Sequence, residues 1–260
     1  MEVRAGEERI VLDAGTGILG LGEQLTAEGP STAVYLFISH LHWDHIQGLP
    51  FFAPAYEEGC RIQITAPPQA GVPLDSILRG QMGPIHFPRP FDALSAEISF
   101  HELAAEGGEG TNVRVRGLRV RHASFTVGYR VEAFGRSVVF IPDCELVGGE
   151  YPLAVGWMDQ LIEFVDGADL LIHDAMFTTE EYQELEGWGH STFSQVLELG
   201  ERAGVRSLRF FHHSPKRADA ELDLIVQHYR EEIGVHGIGL ELDAAAEGAL
   251  DRVGLPAPAP

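Results

Sequence analysis

An α/β fold arranged as a four-layer αββα sandwich is what this sequence predicts, on three observations. Short β-branched and aromatic runs recur along the whole chain. Runs with apolar residues spaced by three and four positions interrupt them, mostly in the second half. In both halves a strand-like run ends in a polar or histidine-bearing turn, as two sheets placed face to face with helices outside require.

Taken in order, the strand-like runs are ERIVLDAG (8–15), TAVYLFIS (32–39), CRIQITAP (60–67) and AEISFHEL (96–103). VRVRGLRVRHA (113–123), FTVGYRVEAFG (125–135) and SVVFIPD (137–143) then follow in quick succession. DLLIHDAMF (169–177) and SLRFF (207–211) extend the pattern into the second half. Helical spacing marks LDSILRGQM (74–82), VGWMDQLIEFVDGA (155–168), TTEEYQELE (178–186), FSQVLELGERAG (193–204) and ELDLIVQHYREEIG (221–234). Ser191 or Thr192 is placed to cap the fourth of these helices. One domain over residues 1–254 is expected, with 255–260 a frayed tail of Pro and Ala.

Composition limits what such a fold can do. The 260 residues are 45% hydrophobic, enough for a full core. Against 39 acidic residues stand 18 basic ones, for a net charge of −21, and Lys216 is the only lysine. A broad phosphate-tracking surface is therefore not expected, and an anionic substrate must be held by local positive charge such as a metal. No run reaches the ~20 apolar residues that span a bilayer, and the first residues have no apolar core of signal-peptide type. Cys60 and Cys144 are too few and too far apart for a disulfide framework. A cytoplasmic protein with no membrane partner is expected, and a homodimer is left open.

The stretch SHLHWDHIQG (39–48) carries the chemistry. TAVYLFIS delivers His40 at a strand end, and His40 and His42 alternate onto one side of an extended segment. Asp44 and His45 lie in the turn that follows. Two imidazoles can meet one metal and an Asp-His pair a second, with zinc suited to the set and iron or manganese also accommodated. Four ligands do not complete two sites. His122 closes VRVRGLRVRHA, Asp143 closes SVVFIPD and His212 follows SLRFF, each an ionisable residue just past an apolar strand. Cys144, beside Asp143, reads as a small buried residue. His86, His101 and His228 read as ordinary loop, strand and helix residues.

Together these residues resemble the metallo-β-lactamase superfamily of binuclear metallohydrolases. Its HxHxDH signature matches His40, His42, Asp44 and His45, and its later His, Asp and His motifs match His122, Asp143 and His212. The likeness runs from VLDAGTG to FFHHSP. It implies the metallo-β-lactamase fold, and two divalent metal ions, zinc first, with manganese or iron as alternatives. By that likeness His40, His42 and His122 hold one ion, Asp44, His45 and His212 the other, and Asp143 bridges them. Asp44 is also counted as catalytic. Asp13 is implied to support the site from behind the ligands. Aligning LRFFHH on the family's strand places His212 at the metal and His213 beside it, a register that can slip by one.

DLLIHDAMF and GWGHSTFSQV add a second likeness, to the superfamily's phosphodiesterase branch of tRNA 3′-end-processing endonucleases and cyclic phosphate phosphodiesterases. That branch uses an acidic residue to orient a leaving-group histidine, a pair that Asp174 and His190 would form here. Aspartate in place of the usual glutamate, and Met176 in place of threonine, imply a longer or weaker Asp174–His190 contact. Two metals ~3.5–4 Å apart activate a water and clamp a phosphoryl oxygen, and a histidine protonates the departing alkoxide.

The chain is thus expected to be a metal-dependent phosphodiesterase acting on a small cyclic phosphodiester, a cyclic nucleotide or sugar cyclic phosphate. A long nucleic acid is not expected, because the arginines between His45 and His122 are scattered. Phe51, Phe87 or Trp188 could stack a base. A lactonase, thioesterase or β-lactamase-type acyl hydrolase, or a metal-bound sensing module without turnover, are the competing readings. Relatives in this branch usually carry a further GGNT-like segment ahead of EVRAGEERIVLDAG. An edge strand of the first sheet is therefore expected to be missing, or the start to lie upstream.

Overall fold

The computed structural model describes residues 1–29, 33–69, 71–103 and 113–254, so the expected tail, 255–260, lies outside the described residues. Within the span read as one domain the chain divides into two compact units, Met1–Glu109 and Gly110–Pro260.

In the first unit, β1 (Glu2–Ala5) and β2 (Glu8–Leu12) form an antiparallel hairpin. β3 (Ala33–Phe37), β4 (Arg61–Ala66) and β5 (Glu97–Glu102) then add in parallel, giving the order β1-β2-β3-β4-β5. Parallel neighbours need crossovers, and α1 (Ile18–Glu28) and α3 (Leu74–Gln81) lie within two of them. Val11, Leu36, Ile38, Ile62 and Ile64 bury the sheet face in one cluster with Ile18, Leu25, Phe52 and Leu78. The sequence reading had no strand at Glu2–Ala5, which forms the sheet edge, and no helix at Ile18–Glu28.

The second unit begins as an antiparallel meander of β6 (Val113–Val120), β7 (Thr126–Ala133) and β8 (Arg136–Ile141). Phe134 (φ 52°) and Gly135 (φ 73°) make the β7–β8 turn, the left-handed pair that a two-residue hairpin requires. β9 (Leu170–Asp174), β10 (Ser207–Phe211) and β11 (Glu241–Ala244) continue in parallel, for the order β11-β10-β9-β8-β7-β6. Between them run α4 (Trp157–Val165), α5 (Thr179–Leu185), α6 (Phe193–Arg202) and α7 (Asp219–His236). Val139, Leu171, Leu208 and Phe210 join Leu161, Phe193, Val196 and Val226 in this unit's core. Thr192, not Ser191, caps α6, in a capping box with Gln195. Thr178 and Glu181 do the same for α5.

One close approach holds the histidine loop of the first unit, which includes the short helix α2 (Trp43–Ile46). Gly48 N–H donates to Ala14 O at 2.8 Å, and Ala14 N–H donates to His45 O at 2.8 Å. A Cβ on Gly48 would overlap the Gly15 carbonyl and sit 2.6 Å from the Ile18 side chain. Gly48→Ala is therefore expected to cost ~1–3 kcal/mol through backbone displacement. Urea unfolding checks this, and an unchanged midpoint would mean that the loop yields without strain.

Candidate metal centre

In the first unit, three imidazoles gather after β3. The His40 ring lies 4.4 Å from that of His42 and 4.2 Å from that of His45, and Asp44 Oδ2 lies 3.1 Å from His45 Nε2. Asp13, just past the end of β2, sets the tautomers of two of them, His45 and His40. His45 Nδ1–H donates to Asp13 Oδ2 at 2.8 Å. Ser39 hydroxyl donates to the same oxygen at 2.9 Å and accepts from His40 Nδ1–H at 3.0 Å. Ser39 N–H donates to Asp13 Oδ1 at 2.6 Å. Both rings therefore carry their lone pair on Nε2, the form that binds a metal. His40, His45, Ser39 and Asp13 are buried, whereas His42 and Asp44 are exposed. Ser39 was missed in the sequence; its position just ahead of the HxH was the available signal.

The second unit has its own cluster at the ends of β6, β8 and β10. Asp143 Oδ2 lies 3.5 Å from His122 Nε2, and Asp143 Oδ1 lies 3.7 Å from His212 Nδ1. His122 Nδ1–H donates to the Gly189 carbonyl at 2.9 Å, which leaves its lone pair on Nε2. His190 stacks on His212 with centroids 4.9 Å apart, and donor atoms of Asp143, His190 and His212 fall within 4.8 Å of one another. His213 is directed elsewhere, to the Ala245 carbonyl at 3.2 Å, and burial lowers its pKa.

His190 Nδ1–H donates to Asp174 Oδ2 at 2.9 Å, so the expected longer or weaker contact is not what forms. The aspartate carboxylate is held in place by two further donors, Cys144 N–H at 3.0 Å and Met176 N–H at 3.2 Å. Ser191 donates to the Cys144 carbonyl and accepts from Leu146 N–H at 3.1 Å, fixing the segment next to His190. Cys144 is buried as expected, and burial raises its thiol pKa. His86 and His101 are exposed and, with His228, stand outside these clusters. Phe51 meets Phe87 edge to face at 5.3 Å, and Phe51 and Trp188 are exposed.

In the second unit, Asp143, His190 and His212 come close enough together to share a divalent cation. Imidazoles with tautomers fixed by carboxylate, hydroxyl or carbonyl partners, set beside carboxylates, form the donor set of zinc, manganese or iron. Such histidine-rich clusters on two mixed sheets mark the metallo-β-lactamase fold.

The chain belongs to the β-lactamase superfamily: residues 8–213 match the beta-lactamase superfamily domain. It is a metal-dependent hydrolase of that family. Ribonuclease Z of Ignicoccus hospitalis is 41% identical over 61 residues, 24% of this chain and 20% of that one. Ribonuclease Z of Haloferax volcanii is 25% identical over an alignment of 267 residues, 85% of this chain and 80% of that one. The crystal structure of the short form of human tRNase Z shares the fold with a TM-score of 0.67 at 19% identity, over 98% of this chain and 92% of that one.

His173, beside Asp174, is fully buried; its Nδ1–H donates to the Asp174 carbonyl at 2.8 Å and its Nε2 has no hydrogen-bond partner. Burial holds its pKa below the usual value. The unfolded chain therefore takes up a proton near pH 6.5 that folded His173 refuses, so its stabilising contribution is complete above that pH and declines as pH falls. His173→Asn keeps a donor near Nδ1 and cannot titrate. In chelator-treated protein it should reduce the slope of unfolding free energy between pH 7 and 5 by up to ~1.4 kcal/mol per pH unit. Parallel slopes for the two proteins would show that His173 titrates normally.

Proposed function

We propose that the chain is a phosphodiesterase in which His40, His42 and His122 hold one divalent ion, Asp44, His45 and His212 hold a second, and Asp143 is shared. Support comes from the tautomers fixed in each unit and from the order of these residues along a superfamily chain. Bound there, two ions would supply a water activated near neutral pH and a positive clamp on phosphoryl oxygens. Zinc suits the donors best. No helix among the described residues is long and apolar enough to cross a membrane, and a cytoplasmic location is part of the proposal.

The observation that carries a phosphodiesterase over an acyl hydrolase is the 2.9 Å contact between Asp174 and His190. With Nδ1–H given to a carboxylate, the imidazolium is stabilised and its second proton, at Nε2, is the one passed to a departing oxygen. An alkoxide leaving group needs that proton. Asp174 orients the ring and does not itself touch the substrate. Asp13 and Ser39 hold His40 and His45 in the ligand tautomer.

An acidic chain is no bar to a long nucleic acid, since relatives are named ribonuclease Z and tRNase Z. Net charge is a property of the whole chain, whereas cleavage needs positive charge only where the scissile phosphate lies. An RNA phosphodiester is the substrate class those names favour. The small cyclic diester has in its favour only the acid excess, 39 residues against 18.

A metal-loaded activity panel tests the reading, with a short tRNA precursor, 2′,3′- and 3′,5′-cyclic nucleotides, bis-p-nitrophenyl phosphate, a lactone and a β-lactam. Turnover of the lactone or β-lactam alone would replace this reading with an acyl hydrolase.

Two sets of variants examine the residue roles. His212→Ala should lose metal by elemental analysis while His213→Ala keeps it, and Asp143→Ala should deplete both ions where His122→Ala depletes one. Full occupancy in His212→Ala would move the ligand to its neighbour. His190→Ala should retain metal and lose roughly 10²- to 10⁴-fold in turnover of an alkyl phosphodiester, the scale of general acid catalysis. Aryl diesters, whose phenolate leaves unaided, should be spared. Equal loss on both substrates removes His190 as the acid.

A further inference from the structure

Beside the second cluster, the second unit has an open cavity of ≈ 270 Å³ between the end of β6 with the turn after it, residues 119–125, and the loop 150–153. His122 forms part of its wall, so one residue belongs both to the cavity and to the Asp143 cluster. Two guanidiniums line it. Arg119 is exposed and lies over the Phe125 ring at 4.6 Å. Arg121 is tied into the wall, 4.7 Å over Trp157 and donating to the Leu146 carbonyl at 3.2 Å. Across from them Tyr151 is fixed by its hydroxyl, which donates to the Gly187 carbonyl at 2.8 Å. Glu150 is the one carboxylate among the lining residues.

In a chain of net charge −21, a cavity lined by two arginines and one acid is a local reversal of sign. A guanidinium supported on an aromatic face offers both a flat surface for stacking and N–H donors for a phosphate. The volume lies just under the roughly 300–1,000 Å³ of pockets for drug-sized ligands, the scale of one nucleotide. We propose that this cavity is a subsite for one nucleotide flanking the scissile phosphodiester, with Arg119 taking that nucleotide's phosphate. This rests on the phosphodiesterase reading and adds to it where the substrate extends beyond the reacting bond.

The dinucleotide pUpU carries a flanking phosphate, and bis-p-nitrophenyl phosphate carries none. Binding of fluorescently labelled pUpU to the intact chain, measured without turnover, should weaken roughly tenfold in Arg119→Ala, the scale of one charge-assisted hydrogen bond. The slope of log affinity against log salt should fall by about 0.7, one phosphate contact on a single strand. Glu150→Gln should act with the opposite sign and tighten binding, since it removes a like charge. In the metal-loaded protein both variants should alter KM for pUpU and leave kcat/KM for bis-p-nitrophenyl phosphate unchanged. Wild-type affinity for pUpU in Arg119→Ala, or equal loss on both substrates, overturns the subsite. A wild-type protein that binds pUpU through Arg119 but hydrolyses no phosphodiester would keep the subsite and overturn only the phosphodiesterase reading.

Discussion

A buried carboxylate at the end of β9 is the constraint from which the chemistry of the second unit follows. Asp174 is 0% exposed, and a charge so placed persists only if donors replace the water it has lost. It finds them in three different turns: the backbone N–H of Cys144 after β8, that of Met176 after its own strand, and the His190 ring just ahead of α6. Satisfying one residue thus fixes the approach of three segments. Asp143 is adjacent to Cys144, so the same bond that solvates Asp174 also aims the neighbouring carboxylate. Ser191 repeats the device one residue after His190, bonding to Cys144 and Leu146.

The first unit solves the same problem with Asp13. Its two oxygens accept from Ser39 N–H, Ser39 hydroxyl and His45, and through Ser39 its influence extends to His40. Neither Asp13 nor Asp174 uses an arginine. Backbone amides, a hydroxyl and imidazoles supply the compensation instead. In a chain with 39 acidic side chains, the acids that matter are those whose donors hold histidines in place.

What was legible in the sequence was what is local and dense. HxHxDH is readable because three histidines and an aspartate within six positions are rare by chance, and His122, Asp143 and His212 stood out at the ends of apolar strands. α5 and α6 announce themselves by T-x-x-E and T-x-x-Q capping boxes at Thr178 and Thr192. The losses have equally local causes. α1 carries Gly20 and Gly22, which break the helical signal, and β1 and β11 are four residues each, too short for an alternation to register at a sheet edge. Ser39 offered only its position ahead of the HxH, since its role depends on Asp13, 26 residues earlier. The Asp174–His190 distance was misjudged because side-chain length was weighed without the position of the turn, a long-range property that no window of sequence contains.

Asp13 and His212 share a backbone feature, φ of 62° and 55°, the left-handed region that costs an ordinary L-residue ~1–2 kcal/mol. Asp, Asn and His are among the side chains that tolerate it, and β-branched residues are not. For protein engineering this makes the two positions stores of recoverable stability that cannot be drawn on. Glycine would relax either backbone, yet at Asp13 it removes the acceptor shared by Ser39 and His45, and at His212 it removes an imidazole from the Asp143 cluster. At Asp13 the exchange would also strand the Ser39 amide, the Ser39 hydroxyl and the His45 ring without their acceptor, at ~1–3 kcal/mol each, so there the strained turn is held by the same side chain that organises the histidines.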